Sequence, residues 1–152
     1  MTQEDKELLL KDLCARLPYK VKVEAFPYVY PQILCSIDPI RKEFRLDFGE
    51  YRNIFATNWV GEEYSIIKPY LRPMSSMTEE EYISLYSMAC EKKYQVEYDF
   101  SWYSDFKQKG IIPGYIFNPN QTDFLISRHL DFRGLIPMGL ALESLEGMYK
   151  TK

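Results

Sequence analysis

The feature that most limits the fold is a change of apolar period on either side of Pro18. Before it, Leu9, Leu10, Leu13, Cys14 and Leu17 fall on one face of a helix over residues 3 to 17. Thr2 is placed to cap its start, and Pro18 stops the pattern. Asp5, Lys6 and Asp12 lie on the opposite face and are expected to be solvated. After Pro18, Val21, Val23 and Ala25 alternate with Lys20, Lys22 and Glu24, the period of a half-buried strand over residues 20 to 26.

The alternation returns at Phe44, Leu46 and Phe48, and Gly49 ends it. A short apolar run over residues 32 to 37 leads into Asp38-Pro39, a turn signal, so the two runs read as an antiparallel hairpin. A fourth strand is expected within residues 53 to 60, around Ile54, Phe55, Trp59 and Val60.

The stretch IKPYLRPMSSMTEEE, residues 66 to 80, reads as a joint. Pro69 suits the first position of a single helical turn, and Pro73 ends that turn. Thr78 and Glu81 form a capping box, and Met77 and Tyr82 a hydrophobic staple. The glutamates at 79, 80 and 81 also face the positive end of the helix dipole. They therefore have a structural cause and need no metal to explain them. This helix is expected to run to Lys93 through Tyr82, Leu85, Tyr86 and Ala89.

Further on, Trp102, Tyr103 and Phe106 suggest a short helix ending before Gly110. Pro113-Gly114 and Asn118-Pro119-Asn120 read as turns. A helix is expected over residues 121 to 130, carrying Phe124, Leu125 and His129, with Gly134 soon after its end. In the tail, Ile136, Met138, Leu140 and Leu142 alternate, as in an edge strand or an irregular segment over the core; Pro137 argues against a central strand. These elements predict a single α+β domain over residues 1–152. Its antiparallel sheet, of about 3–4 strands, packs against two or three helices.

Composition narrows the function more than the fold. The chain holds 13 Tyr, 9 Phe and 2 Trp. Such an excess of tyrosine suits the outer face of a half-buried sheet or an aromatic binding surface. A net charge of −3 argues against non-specific nucleic-acid binding. No segment approaches the ~20 apolar residues of a membrane span. The amino terminus is acidic and too broken for a signal peptide, so a cytoplasmic location is expected. Cys14, Cys35 and Cys90 have no CxxC spacing and are expected to be reduced, buried thiols.

Motifs for chemistry are absent. No Walker loop, dinucleotide fingerprint or nucleophile elbow occurs. One histidine and three scattered cysteines give no recognisable zinc spacing, so neither a metal nor a cofactor is expected. The densest polar cluster is Arg128, His129 and Arg133. It offers a general base and an anion clamp, or simply the basic end of a helix capped by Gly134. Lys92, Lys93, Tyr94, Tyr98, Trp102, Tyr103 and Lys107 interleave cations with aromatics, as single-strand binders do, but Glu91, Glu97, Asp99 and Asp105 offset the charge.

Three stretches carry a resemblance: EDKELLLKDLCARLPYKVKV, IKPYLRPMSSMTEEE and DFRGLIPMGLALESLEGMYK. They resemble a group of small uncharacterised proteins of gut bacteria and their phages and mobile elements. The tail departs from that pattern at Glu143 to Gly147, where an Ala-Pro pair is expected. The group has no assigned reaction or catalytic residues to carry over. The missing catalytic motifs, the aromatic excess and this context together lead to the expectation of a non-enzymatic accessory protein that binds a host protein, in a host-modulating or counter-defence role. The candidate contacts are Trp102, Tyr103, Phe106 and Tyr115. The alternatives are a small-molecule binder, sequestering a nucleotide or signal in an aromatic pocket with Arg128 and Arg133 as anion contacts, and a single-stranded nucleic-acid binder. An enzyme built on His129 is the least favoured reading.

Overall fold

The computed structural model describes residues 1–25, 30–47, 52–54, 67–89, 99–111 and 113–150. Among them lie four α-helices and a mostly antiparallel sheet, an α+β fold. Helix α1 spans Gln3–Arg16 and opens on a capping box. The Thr2 hydroxyl accepts the Asp5 amide at 3.1 Å, and the Asp5 carboxylate accepts the Thr2 amide at 2.8 Å. A 3₁₀ turn at Leu17–Tyr19 follows, with Pro18 inside it, and Lys20 closes it in the left-handed region.

The strands are β1 (Lys22–Ala25), β2 (Gln32–Asp38), β3 (Glu43–Leu46), β4 (Arg52–Asn53), β5 (Ile67–Leu71) and β6 (Leu142–Glu143). Their order is β4-β3-β2-β1-β5-β6, and only β5–β6 is parallel. The sheet is thus wider than expected, because β5 forms in place of the expected helical turn; the tail supplies the edge strand beyond it. The β2–β3 hairpin turns where Asp38 accepts the amides of Ile40 and Arg41, each at 2.9 Å. Val23, Ala25, Leu34, Phe44, Leu46 and Ile67 point to one face and pack with Leu9 and Leu13 of α1. Each of these side chains except that of Ala25 contributes roughly 1.5–3 kcal/mol by leaving water. Of the expected fourth strand, Ile54 is buried beside the short β4, while Phe55, Trp59 and Val60 lie outside the described residues.

Pro69 is not in a helical turn; it sits inside β5, opposite Val23. An antiparallel ladder draws on alternate residues, and the β6 ladder begins one residue later at Tyr70, so the missing amide is not needed there. The buried–half-buried alternation from Ile67 to Leu71 won over the helical spacing.

Three helices form a second cluster. They are α2 (Glu79–Ser87), α3 (Phe100–Lys109) and α4 (Pro119–Ser127). The Thr78–Glu81 capping box is present, and Met77 and Tyr82 share the same apolar cluster. Helix α2 stops well short of Lys93. Its last carbonyls are taken by α4: Asn118 Nδ2 donates to Met88 O at 2.8 Å, and Gln121 Nε2 to Leu85 O at 3.1 Å. The Asn118-Pro119-Asn120 turn is in fact the start of α4, with Asn118 as cap, Pro119 in its first turn and Gln121 completing a capping box.

Asp12 corrects the picture of a solvated outer face on α1. It is fully buried, as is Arg16. Arg16 Nε donates to Asp12 at 2.8 Å, and its guanidinium also donates to the carbonyls of Leu130 at 2.8 Å and Ile126 at 3.4 Å. Arg133 donates to the other Asp12 oxygen. A second buried pair, Arg72–Glu81, is bidentate with both contacts at 2.8 Å. Burial works to raise the Glu81 pKa, but hydrogen bonds from Arg72 and the Thr78 amide outweigh it and hold the carboxyl below its ordinary value. The seam between the sheet core and the helical core is therefore ionic.

The tail is irregular before it pairs. Asp131 accepts the amides of Leu135 and Ile136 at 2.8 and 2.9 Å, across a turn that needs the positive φ of Gly134. Leu135, Leu140 and Ala141 then pack with Leu71. Met138 is exposed, so the apparent alternation at 136 to 142 is not a strand period.

Candidate functional site

Helices α2, α3 and α4 and the loop after α3 enclose a cleft of about 520 Å³. Its walls include Tyr82, Tyr86, Trp102, Phe106, Tyr115 and Phe117. The rings stabilise one another: Tyr86 meets Trp102 at 4.8 Å, Tyr82 stacks on Phe106 at 5.1 Å, and Tyr115 meets Phe117 edge-on at 4.9 Å. Helical spacing on α3 turns Trp102 and Phe106 to one side, and Gly110 ends the helix with a positive φ.

Polar groups in the cleft are few. Asp105 and Lys109 pair with each other at 3.5 Å, so the mouth carries little net charge. Gln121 is spent on caps and on the Tyr115 hydroxyl. Burial, with Tyr86, Tyr115 and Asp105 nearby, pushes the Tyr82 phenol up and keeps it neutral. Among the described residues no three His, Cys, Asp or Glu side chains gather as metal ligands.

Of the four contacts read from the sequence, Trp102, Phe106 and Tyr115 line the cleft. Tyr103 lies behind it, its hydroxyl donating to Met77 O at 3.0 Å. Lys92, Lys93, Tyr94 and Tyr98 lie outside the described residues. Exposed apolar surface adjoins the cleft: Tyr115 is 43% exposed and its neighbour Ile116 89%.

The Arg128, His129 and Arg133 group does not join the cleft. Arg133 is taken by Asp12, with Phe132 under its guanidinium. Arg128 ends α4, and His129 follows it with φ +57. The His129 amide reaches Ile126 O and the Leu130 amide reaches Leu125 O, a Schellman closure in which glycine usually holds the histidine's place. The expected cap, Gly134, does other work. The His129 ring stacks on Tyr149 at 3.9 Å. Burial first, and then the charges of Arg16 and Arg72, lower its pKa to about 4. A group held neutral this firmly is a poor general base at neutral pH.

The two described cysteines are free thiols, and neither is fully buried as expected, Cys14 being half-buried. Burial pushes the Cys14 thiol up, and Cys35 is exposed on β2 rather than buried. Among the described residues no helix is long and apolar enough to cross a membrane. No protein-family model, curated protein or solved structure matches the chain.

Proposed function

We propose that the chain is a non-enzymatic binding protein whose aromatic cleft receives an apolar segment of a partner protein. One observation carries this reading: residues far apart in sequence, Tyr86, Trp102 and Tyr115, converge on one cleft whose rim leaves Tyr115 and Ile116 in water. Tyrosine and tryptophan are enriched at protein interfaces and dominate their energetics. The paired charges at Asp105 and Lys109 favour an apolar guest over a charged one. The resemblance to proteins of gut phages and mobile elements suggests a cytoplasmic host protein as partner, in a host-modulating or counter-defence role.

The test is partner capture from a host lysate by the wild-type chain, Trp102→Ala and Ile40→Ala. Ile40 is exposed on the distant β2–β3 turn and serves as the control. A partner held by wild type and Ile40→Ala but lost by Trp102→Ala supports the reading. Equal capture by all three would overturn it. The cleft volume also falls within the ~300–1,000 Å³ of small-molecule sites. A thermal shift with a nucleotide or other aromatic compound, abolished by Trp102→Ala, would favour that second reading.

A further inference from the structure

A second recess, of about 290 Å³, lies between the 3₁₀ turn, the end of α4 and the carboxy-terminal tail. Its lining holds Lys20, Lys22, Arg72, Arg128 and Lys150, and no carboxylate among the described residues. Arg72 is neutralised by Glu81. Among the described residues Lys22 Nζ donates only to a carbonyl, Met148 O at 3.3 Å. Lys20, Arg128 and Lys150 have no ion pair among the described residues.

The end of α4 does not account for this charge. The carbonyls of Phe124, Leu125 and Ile126 in its last turn are already satisfied by the amides of Arg128, His129 and Leu130 and by Arg16. Like charges around one recess repel, and an anion entering it relieves that repulsion. Lys20 and His129, both lining it, hold left-handed backbone, where side chains other than glycine are strained, because they close the 3₁₀ turn and the end of α4. One further fact marks the same place. His129 is 5% exposed, and its Nδ1 is buried without a hydrogen-bond partner among the described residues, while the ring also meets the Tyr19 backbone. Buried polar atoms are almost always satisfied, and with the other ring nitrogen on a carbonyl this one accepts from a donor on the ligand, a hydroxyl or a protonated phosphate oxygen.

We propose that this recess binds the phosphate group of a small soluble ligand, gripped by Lys20, Lys22, Arg128 and Lys150. Ile33, Tyr19 and Met148 give the remainder of the ligand an apolar wall. The site is separate from the aromatic cleft, so the two readings stand or fall independently.

The single histidine makes a clean probe. Sodium pyrophosphate is titrated at constant ionic strength while the His129 ring signals are followed by NMR. A saturable shift is expected, with a rise in thermal midpoint. Arg128→Ala is expected to weaken binding roughly tenfold, the scale of one charge-assisted hydrogen bond. Lys20→Gly separates binding from folding: it relaxes a strained backbone, so the free protein stays at least as stable while affinity falls. No saturable shift at millimolar pyrophosphate overturns the proposal. So does wild-type affinity in Lys20→Gly, or binding only to vesicles of phosphatidic acid with free pyrophosphate inert.

Discussion

At the scale of single residues, His129 sets a pH limit on the fold. Its ordinary pKa of 6.5 falls to about 4 in the folded chain. Between those values the unfolded chain holds a proton that the folded chain does not. The stabilisation is complete above pH 6.5 and is lost as pH falls through 4. At pH 4.5 the loss is expected to reach roughly 2–3 kcal/mol. Urea unfolding at pH 7 and pH 4.5 checks this against His129→Gln, which should lack that part of the slope. The same slope in both proteins would assign the pH dependence elsewhere. Asp12 makes a larger prediction. Asp12→Ala leaves Arg16 buried without its carboxylate and should cost about 3–5 kcal/mol by denaturant unfolding. The pair Asp12→Leu with Arg16→Met should recover much of that loss. Neither role was legible in the sequence. Asp12 lies off the apolar stripe, and nothing local says that α4 and Arg133 will cover it.

Elements were more legible, because caps and alternation are local. Thr2, Thr78 and the alternating runs placed α1, the start of α2 and β1 and β3. Two of the misreadings share an origin: partners distant in sequence. Pro69 becomes a strand residue because β1 lies beside it, and α2 ends early because Asn118 and Gln121 cap it. The start of α4 was missed for a different reason, since Asn-Pro is equally a turn signal and a helix opening. Thr78→Ala should cost about 1 kcal/mol, a normal cap loss. Glu81→Ala removes both the box and the buried partner of Arg72, and should cost several times as much. A double-mutant cycle with Arg72 measures the difference. If the two single variants prove equal, Arg72–Glu81 contributes nothing beyond the cap.

At the scale of the whole molecule, polar bridges join the apolar clusters, and the tail closes the sheet. Tyr149 inserts its hydroxyl between two strands, accepting from the Lys22 amide and donating to Tyr70 O, each at 2.9 Å. Burial pushes its phenol up to about 12, so the clasp persists across ordinary pH. Tyr149→Phe strands the Lys22 amide and should cost about 1–3 kcal/mol, with faster hydrogen exchange at Lys22. Unchanged exchange there would mean that the tail does not hold the strands. The tyrosine excess signalled a binding surface without saying where; folding gathered part of it on one side of α3. A photo-crosslinking side chain at Tyr115, compared with one at Ile40, tests the cleft most directly. A single partner adduct is predicted from position 115, absent from position 40 and abolished by Trp102→Ala. Equal adducts from both positions, or an adduct that survives Trp102→Ala, would contradict the account.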